Sequence, residues 1–292
     1  MICSATCGVR KRQIGMRLWR LRNAGLSLFA CPALVLANAA NGQDAESHAR
    51  VELVAEEYTP HTGKPVWVGL VFHLDRGWHI YWQNPGDSGE PPKVQWELPP
   101  GWRAGAIRWP TPVKLGSGSV VDYGYESQVL LMAPIERAAA TSNLLTSVEA
   151  DVRYLVCQEI CIAGKAHVTL TIPAAGVTSK RVPGRRSLFE QTRGQLPKPL
   201  PVGWKVTVTQ QNDHFLLTVR GGSQIRGATF FPLEAGQIEN SAPQAFIMTK
   251  AGFRLALRMS DQLARPISAL NGVLVLDSGR AFELTAPVIS RR

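Results

Sequence analysis

The chain has 292 residues, 45% apolar and 18% charged, with 26 glycines and 20 prolines, a make-up that excludes collagen-like, coiled-coil and disordered chains. At about 150 residues per domain the length predicts two domains, each large enough for a core without disulfide staples. The formal charge of +10 suggests nucleic acid only until its position is considered. Arg10, Lys11, Arg12, Arg17, Arg20 and Arg22 all lie before residue 40, and beyond them 26 basic residues face 22 acidic ones. We therefore expect no nucleic-acid partner.

Those basic residues precede a short apolar run, Ala24 to Leu36, and the small-residue pattern Ala37-Asn38-Ala39. This is the order of a secretory signal peptide, residues 1–39, cleaved near Ala39. The apolar run is shorter than the about 20 residues that span a bilayer, so an anchor is the weaker reading. A lipid attachment at Cys31 is disfavoured by bulky Phe29 and by Pro32. Met16 followed by Arg17 also makes a well-proportioned start. The mature chain is expected in an oxidising, exported compartment.

Next, period-2 alternation predicts strands at Val51 to Tyr58, Pro65 to Leu74, Trp78 to Trp82, Lys93 to Glu97, Gly105 to Trp109, Gln128 to Ile135, Val148 to Val156 and Ala166 to Ile172. Asn84-Pro85-Gly86-Asp87, Pro91-Pro92 and Pro99-Pro100-Gly101 supply turns. Short strands at this spacing predict a β-sandwich over residues 40–175. Its tryptophans, among them Trp67, Trp78, Trp82, Trp96, Trp102 and Trp109, are expected to fill core and turns.

Residues 176–203, rich in proline and arginine, read as a solvated interdomain linker, with a turn or more of helix around Ser187 to Arg193. A second strand set follows in residues 204–292: Trp204 to Thr209, His214 to Arg220, Ala228 to Pro232, Ala245 to Thr249, Phe253 to Met259, Gly272 to Leu276 and Ala281 to Leu284. It holds no cysteine and reads as a supporting sandwich. The fold class is thus all-β, two sandwiches in tandem after a signal peptide.

Of five cysteines, Cys3, Cys7 and Cys31 precede the cleavage point, leaving Cys157 and Cys161 in a Cys-x-x-x-Cys pair. Along the preceding strand Val148, Ala150, Val152, Tyr154 and Val156 share the core face, so Cys157, like Leu155, points away from it. His167 is likewise expected to face outward. An exported even pair favours a disulfide, and so short a loop contributes less stability than the about 3 kcal/mol of a 15-residue loop. Thiol exchange is the better use of it. A structural clip and a Cu(I) site formed by Cys157, Cys161 and His167, with His73 and His79 as the other available third ligands, stand as alternatives. No cofactor and no small-molecule substrate are expected.

Three segments in order, Gly77-Trp78-His79-Ile80-Tyr81-Trp82-Gln83-Asn84-Pro85-Gly86-Asp87-Ser88-Gly89, Tyr123-Gly124-Tyr125-Glu126 and Tyr154-Leu155-Val156-Cys157-Gln158-Glu159-Ile160-Cys161, resemble the N-terminal periplasmic domain of the DsbD and ScsB thiol:disulfide interchange proteins. The likeness covers about residues 48 to 175, and the remainder resembles the second sandwich of ScsB-type members. It implies immunoglobulin-like domains and a periplasmic location. It also implies electron relay through Cys157 and Cys161, with Cys161 exchanging with partners and Cys157 resolving. The segment Ser117 to Glu126 would match a cap loop over the pair, through Asp122, Tyr123 and Tyr125.

Glu159, Lys165, Asp87 and Glu90 are candidates for tuning the pair. The family's pathways imply disulfide isomerase reduction, cytochrome c maturation or copper tolerance, and the reaction class would be protein-disulfide reduction. The pair is spaced more tightly than in DsbD, as in the ScsB-like branch. With no transmembrane or thioredoxin-like region in the sequence, the expected donor is a separate membrane electron-transfer protein and the acceptor a periplasmic thioredoxin-fold protein. A non-catalytic binding module is the alternative from another class.

Overall fold

The computed structural model describes residues 48–57, 64–116, 118–138, 145–172, 185–222, 224–263 and 265–290. The expected signal peptide with its three cysteines, Ser117, residues 173–175 and residues 176–184 of the expected linker lie outside them. No described helix is long and apolar enough to cross a membrane.

The first strand set comprises β1 (Ala49–Ala55), β2 (Val66–Leu74), β3 (His79–Gly86), β4 (Lys93–Glu97), β5 (Trp102–Ala104), β6 (Val113–Leu115), β7 (Asp122–Glu126), β8 (Gln128–Arg137), β9 (Ser147–Cys157) and β10 (Cys161–Thr171). One sheet runs β1-β2-β8-β5, and the other β10-β9-β3-β7-β6, with β4 also beside β9. The alternation of β9 is realised: Val148, Ala150, Val152, Tyr154 and Val156 are buried in the core between the sheets, which Leu70, Phe72, Ile80, Trp82 and Leu131 also fill. Here that period-2 apolar face is buried against the facing sheet.

Two expectations change here. Gly105 to Trp109 makes only an isolated bridge from Arg108 to Met132, and pairing with β8 is taken over by Trp102–Ala104. Residues 122–126 form no loop over the sulfurs; they are β7, an internal strand between β3 and β6. Gly124 permits this, because a Cβ at that position would lie 2.1 Å from the Ile80 carbonyl oxygen.

Helix α1 (Arg185–Gln195) makes part of the basic linker a packed element. Phe189, fully buried, lies with Val54, Val71, Leu130 and Met132 on the outer side of the first sheet. Arg193 makes a bidentate pair with Glu56, both contacts 2.6 Å, and its guanidinium lies 5.5 Å from the Trp67 ring centroid.

The second set comprises β11 (Lys198–Pro199), β12 (Lys205–Gln211), β13 (His214–Arg220), β14 (Ala228–Pro232), β15 (Ala245–Thr249), β16 (Gly252–Arg258), β17 (Ala269–Leu276) and β18 (Ala281–Ser290). The long β18 joins its halves, pairing antiparallel with β17 over Ala281 to Pro287 and parallel with β12 over Val288 to Ser290. Val208, Phe215, Leu217, Phe253, Leu255 and Leu274 form a separate core. The all-β, tandem architecture is therefore present.

The sandwiches also touch. Phe231 of β14, with Val273 and Ala281, belongs to the first core; its ring meets Tyr123 at 5.1 Å and Trp82 at 6.4 Å, edge to face. Beside it, buried Asn84 donates its amide to the Pro232 carbonyl at 2.7 Å.

Candidate redox site

Cys157 ends β9 and Cys161 begins β10, directly opposite one another in the antiparallel register. Gln158, Glu159 and Ile160 make the crossing, closed by a hydrogen bond from the Gln158 amide to the Ile160 carbonyl at 3.0 Å. The cysteines form a disulfide with Cα atoms 4.2 Å apart. Cys157 is only 2% exposed yet stands outside the apolar core cluster, on the outward face that its parity dictates. Cys161 is exposed, as is Ile160 at the tip. One sulfur is thus sheltered and the other accessible.

The neighbouring strand supplies the surroundings. In β3, Ile80 and Trp82 point into the core, so His79 and Tyr81 point outward with the sulfurs. His79 is the cross-strand partner of Cys157. The Tyr81 hydroxyl lies 3.5 Å from Cys161 Sγ; a disulfide sulfur carries no hydrogen, so the hydroxyl is the donor. Burial raises the Tyr81 pKa, which keeps it a phenol able to donate to a thiolate at Cys161. The rings of His79 and Tyr81 meet edge to face at 5.3 Å.

The loop after β3 fixes Tyr81 from above. Ser88 donates its amide and its hydroxyl to the two carboxylate oxygens of Asp122, each at 2.8 Å. Gly89, at φ +73°, lies flat on the Tyr81 ring, where any Cβ would come within 2.1 Å of Cζ. Burial lowers the His79 pKa, against the opposing charges of Asp122 and Glu126, so the imidazole is neutral at neutral pH.

Of the residues singled out from sequence, Cys157 and Cys161 are joined and Glu159 sits in the turn between them. Asp122 reaches the site through Ser88. Tyr123 and Tyr125 do not cover the sulfurs: both are in the core, Tyr125 donating to the Pro110 carbonyl at 2.7 Å and Tyr123 to Asn240 Oδ1 at 2.7 Å. Burial raises both phenol pKa values. The aromatic that lies against the pair is Tyr81.

The tuning candidates scatter. Asp87 bonds to the second sandwich through Asn240, Glu90 pairs with Lys93 on the surface, and Lys165 stands four residues along β10 from Cys161, about 13 Å of strand. His167 is six residues along the same strand, about 20 Å, and bonds Asp151 at 2.9 Å; it cannot join the cysteines around one copper ion. Among the described residues no three His, Cys, Asp or Glu side chains are grouped to hold a metal. Sequence reasoning passed over Tyr81, Ser88, Gly89 and Asn240. The parity of His79 and Tyr81 against Ile80 and Trp82 was the signal for the first of these.

Residues 50–173 match the family model described as thiol:disulfide interchange protein DsbD, N-terminal. Among solved structures, the chain is similar to the N-terminal periplasmic domain of ScsB from Proteus mirabilis, with a TM-score of 0.64 at 16% identity, covering 85% of this chain and 97% of that one. The periplasmic chaperone SfaE aligns at a TM-score of 0.20 and 8% identity over 82% of this chain and 100% of its own, and no weight rests on it. No curated protein matches the chain significantly.

Proposed function

Since residues 50–173 belong to the DsbD N-terminal family, a thiol:disulfide interchange domain, we propose that this chain is a periplasmic electron relay that reduces partner disulfides through Cys157 and Cys161. The observation that carries the reading is the asymmetry of the pair: a sheltered Cys157 behind an exposed Cys161 whose sulfur already faces a hydroxyl donor. Exchange needs one accessible sulfur to meet the partner and one protected sulfur to finish the reaction.

In the reducing direction the Cys161 thiolate attacks a partner sulfur. The partner's S–S bond breaks, its second sulfur leaves as a thiolate and takes a proton from solvent, and a mixed disulfide remains. Cys157 then loses its proton and attacks Cys161 Sγ. The mixed bond breaks, the Cys157–Cys161 disulfide re-forms, and the partner departs as a dithiol, two electrons richer. Tyr81 stabilises the Cys161 thiolate that makes the first attack.

The donor is a separate membrane electron-transfer protein and the acceptor a periplasmic thioredoxin-fold protein, serving disulfide isomerase reduction, cytochrome c maturation or copper tolerance. The exposed tip with Ile160 suits a protein partner, and no cofactor enters the scheme. The test is trapping: Cys157→Ser, which keeps Cys161, should accumulate a mixed disulfide with a thioredoxin-fold acceptor, whereas Cys161→Ser should not. Equal failure of both variants, with the fold retained, would leave the pair a structural clip.

A further inference from the structure

Resting on that relay reading, we infer that His79 is the proton acceptor for Cys157 in the step that resolves the mixed disulfide. The two residues are a direct cross-strand pair between β3 and β9, both on the outward face, where opposed Cβ atoms are about 4.5–5.5 Å apart. His79 Nε2 is buried and has no hydrogen-bond partner. An unpaired buried ring nitrogen of this kind costs about 1–3 kcal/mol, and the place of His79 directly across from the sheltered cysteine gives it a use. In the disulfide no sulfur bears a proton to offer it; the thiol that Cys157 becomes on reduction does.

The chemistry calls for a base at this sulfur rather than at Cys161. A buried thiol in poorly solvated surroundings holds its proton more tightly than an exposed one, and Cys161 has the Tyr81 hydroxyl to support its anion. The groups facing the imidazole are Tyr81 on its own strand, Cys157 with its partner Cys161 across β9 and β10, and Asp122 and Glu126 across β7. The carboxylates favour the imidazolium that forms on proton uptake, while burial keeps the resting ring neutral and able to accept.

In the resolving step, the Cys157 proton passes to Nε2 as the Cys157 sulfur bonds to Cys161 Sγ. The Cys161–partner bond breaks with its electron pair on the partner sulfur, and that thiolate takes the proton from the imidazolium. His79 ends neutral, and the proton that left Cys157 is on the product.

The experiment is single-turnover oxidation of the reduced protein by oxidised glutathione from pH 5.5 to 8.5, with acid trapping of the glutathione adduct on Cys161. In His79→Phe, and equally in His79→Gln, which accepts a hydrogen bond but not a proton at these pH values, the adduct should persist. Resolution should slow about ten-fold or more at pH 7 and recover as pH rises. Wild-type protein provides a readout free of folding effects: the NMR titration of the His79 ring should differ between the oxidised and reduced forms. Glutathione exchange by the wild type, with unchanged pH profiles in both variants and one His79 titration in both redox forms, would overturn the role of His79 alone. A wild-type protein that forms no adduct and no disulfide would overturn the relay reading and this inference with it.

Discussion

Asn240, in the turn region between β14 and β15 of the second sandwich, donates its amide to Asp87 Oδ1 at 2.7 Å, while its own Oδ1 accepts the Tyr123 hydroxyl. The other Asp87 oxygen accepts the Val121 amide at 2.7 Å. Asp87 immediately precedes Ser88 and Gly89, which hold Asp122 and cover Tyr81. The second sandwich therefore grips the loop that lies over the redox site, a role beyond mere support.

Replacing Asn240 with Ala should test that grip. The change leaves the buried Tyr123 hydroxyl without its acceptor, at about 1–3 kcal/mol, while the freed oxygen of the exposed Asp87 turns to solvent. Urea unfolding should shift to lower midpoints, and a dithiol should reduce the disulfide faster than in wild type. An unchanged reduction rate would separate the second sandwich from the site.

Tyr81→Phe keeps the ring under Gly89 and removes only the hydroxyl facing Cys161 Sγ. Loss of a hydrogen bond to a charged sulfur, about 1.5–3 kcal/mol, should raise the Cys161 thiol pKa by about one unit or more. Thiolate absorbance followed against pH in the reduced protein would show the shift.

Gly89→Ala should displace Tyr81, because the new methyl has no room beside Cζ and the backbone there is left-handed. The expected result is a disulfide more open to small thiols, with global stability lowered by about 1–3 kcal/mol. Iodoacetamide labelling after brief dithiol treatment would measure the opening.

Phe189→Ala probes the helix in the linker. Its buried ring fills the outer side of the first sheet, so about 3–5 kcal/mol of stability should be lost, with thiol exchange in the remaining folded protein unaltered. Calorimetry and an exchange assay below the transition would check both halves.

Stability should fall in mild acid, partly through His73 and His79. Burial lowers both pKa values from 6.5, so below about pH 6.5 the unfolded chain binds more protons than the folded one. Their cost is absent above that pH and grows as pH drops towards the folded values. His167, raised chiefly by its bond to Asp151, acts with the opposite sign: its contribution is full below about 6.5 and is lost as pH rises through its folded value. Denaturation midpoints at pH 7.5 and 5.5 should converge in a His73→Gln, His79→Gln variant.

Much of the fold was legible because alternation reports burial directly. Val148 to Val156 announced its core face, and the same parity put Cys157 outside the core. Residues 122–126 were not legible as a strand: Asp-Tyr-Gly-Tyr-Glu lacks β-branched residues, and its glycine marks close approach to the Ile80 carbonyl rather than a turn. The linker helix was legible around Ser187 to Arg193, but its packing was not, since Arg185 and Arg193 find Glu52 and Glu56 of the first sandwich through contacts that no local pattern reveals. The site was half legible. Spacing and resemblance singled out the cysteines, but only packing between distant strands brings Tyr81 to Cys161 and Asn240 to Asp87.

The most direct measurement is the reduction potential of the Cys157–Cys161 pair, obtained by equilibrating the protein in dithiol buffers and trapping free thiols. A relay should have a midpoint between about −180 and −270 mV, the span of exchange proteins. A value below about −300 mV, where structural disulfides lie, would contradict it.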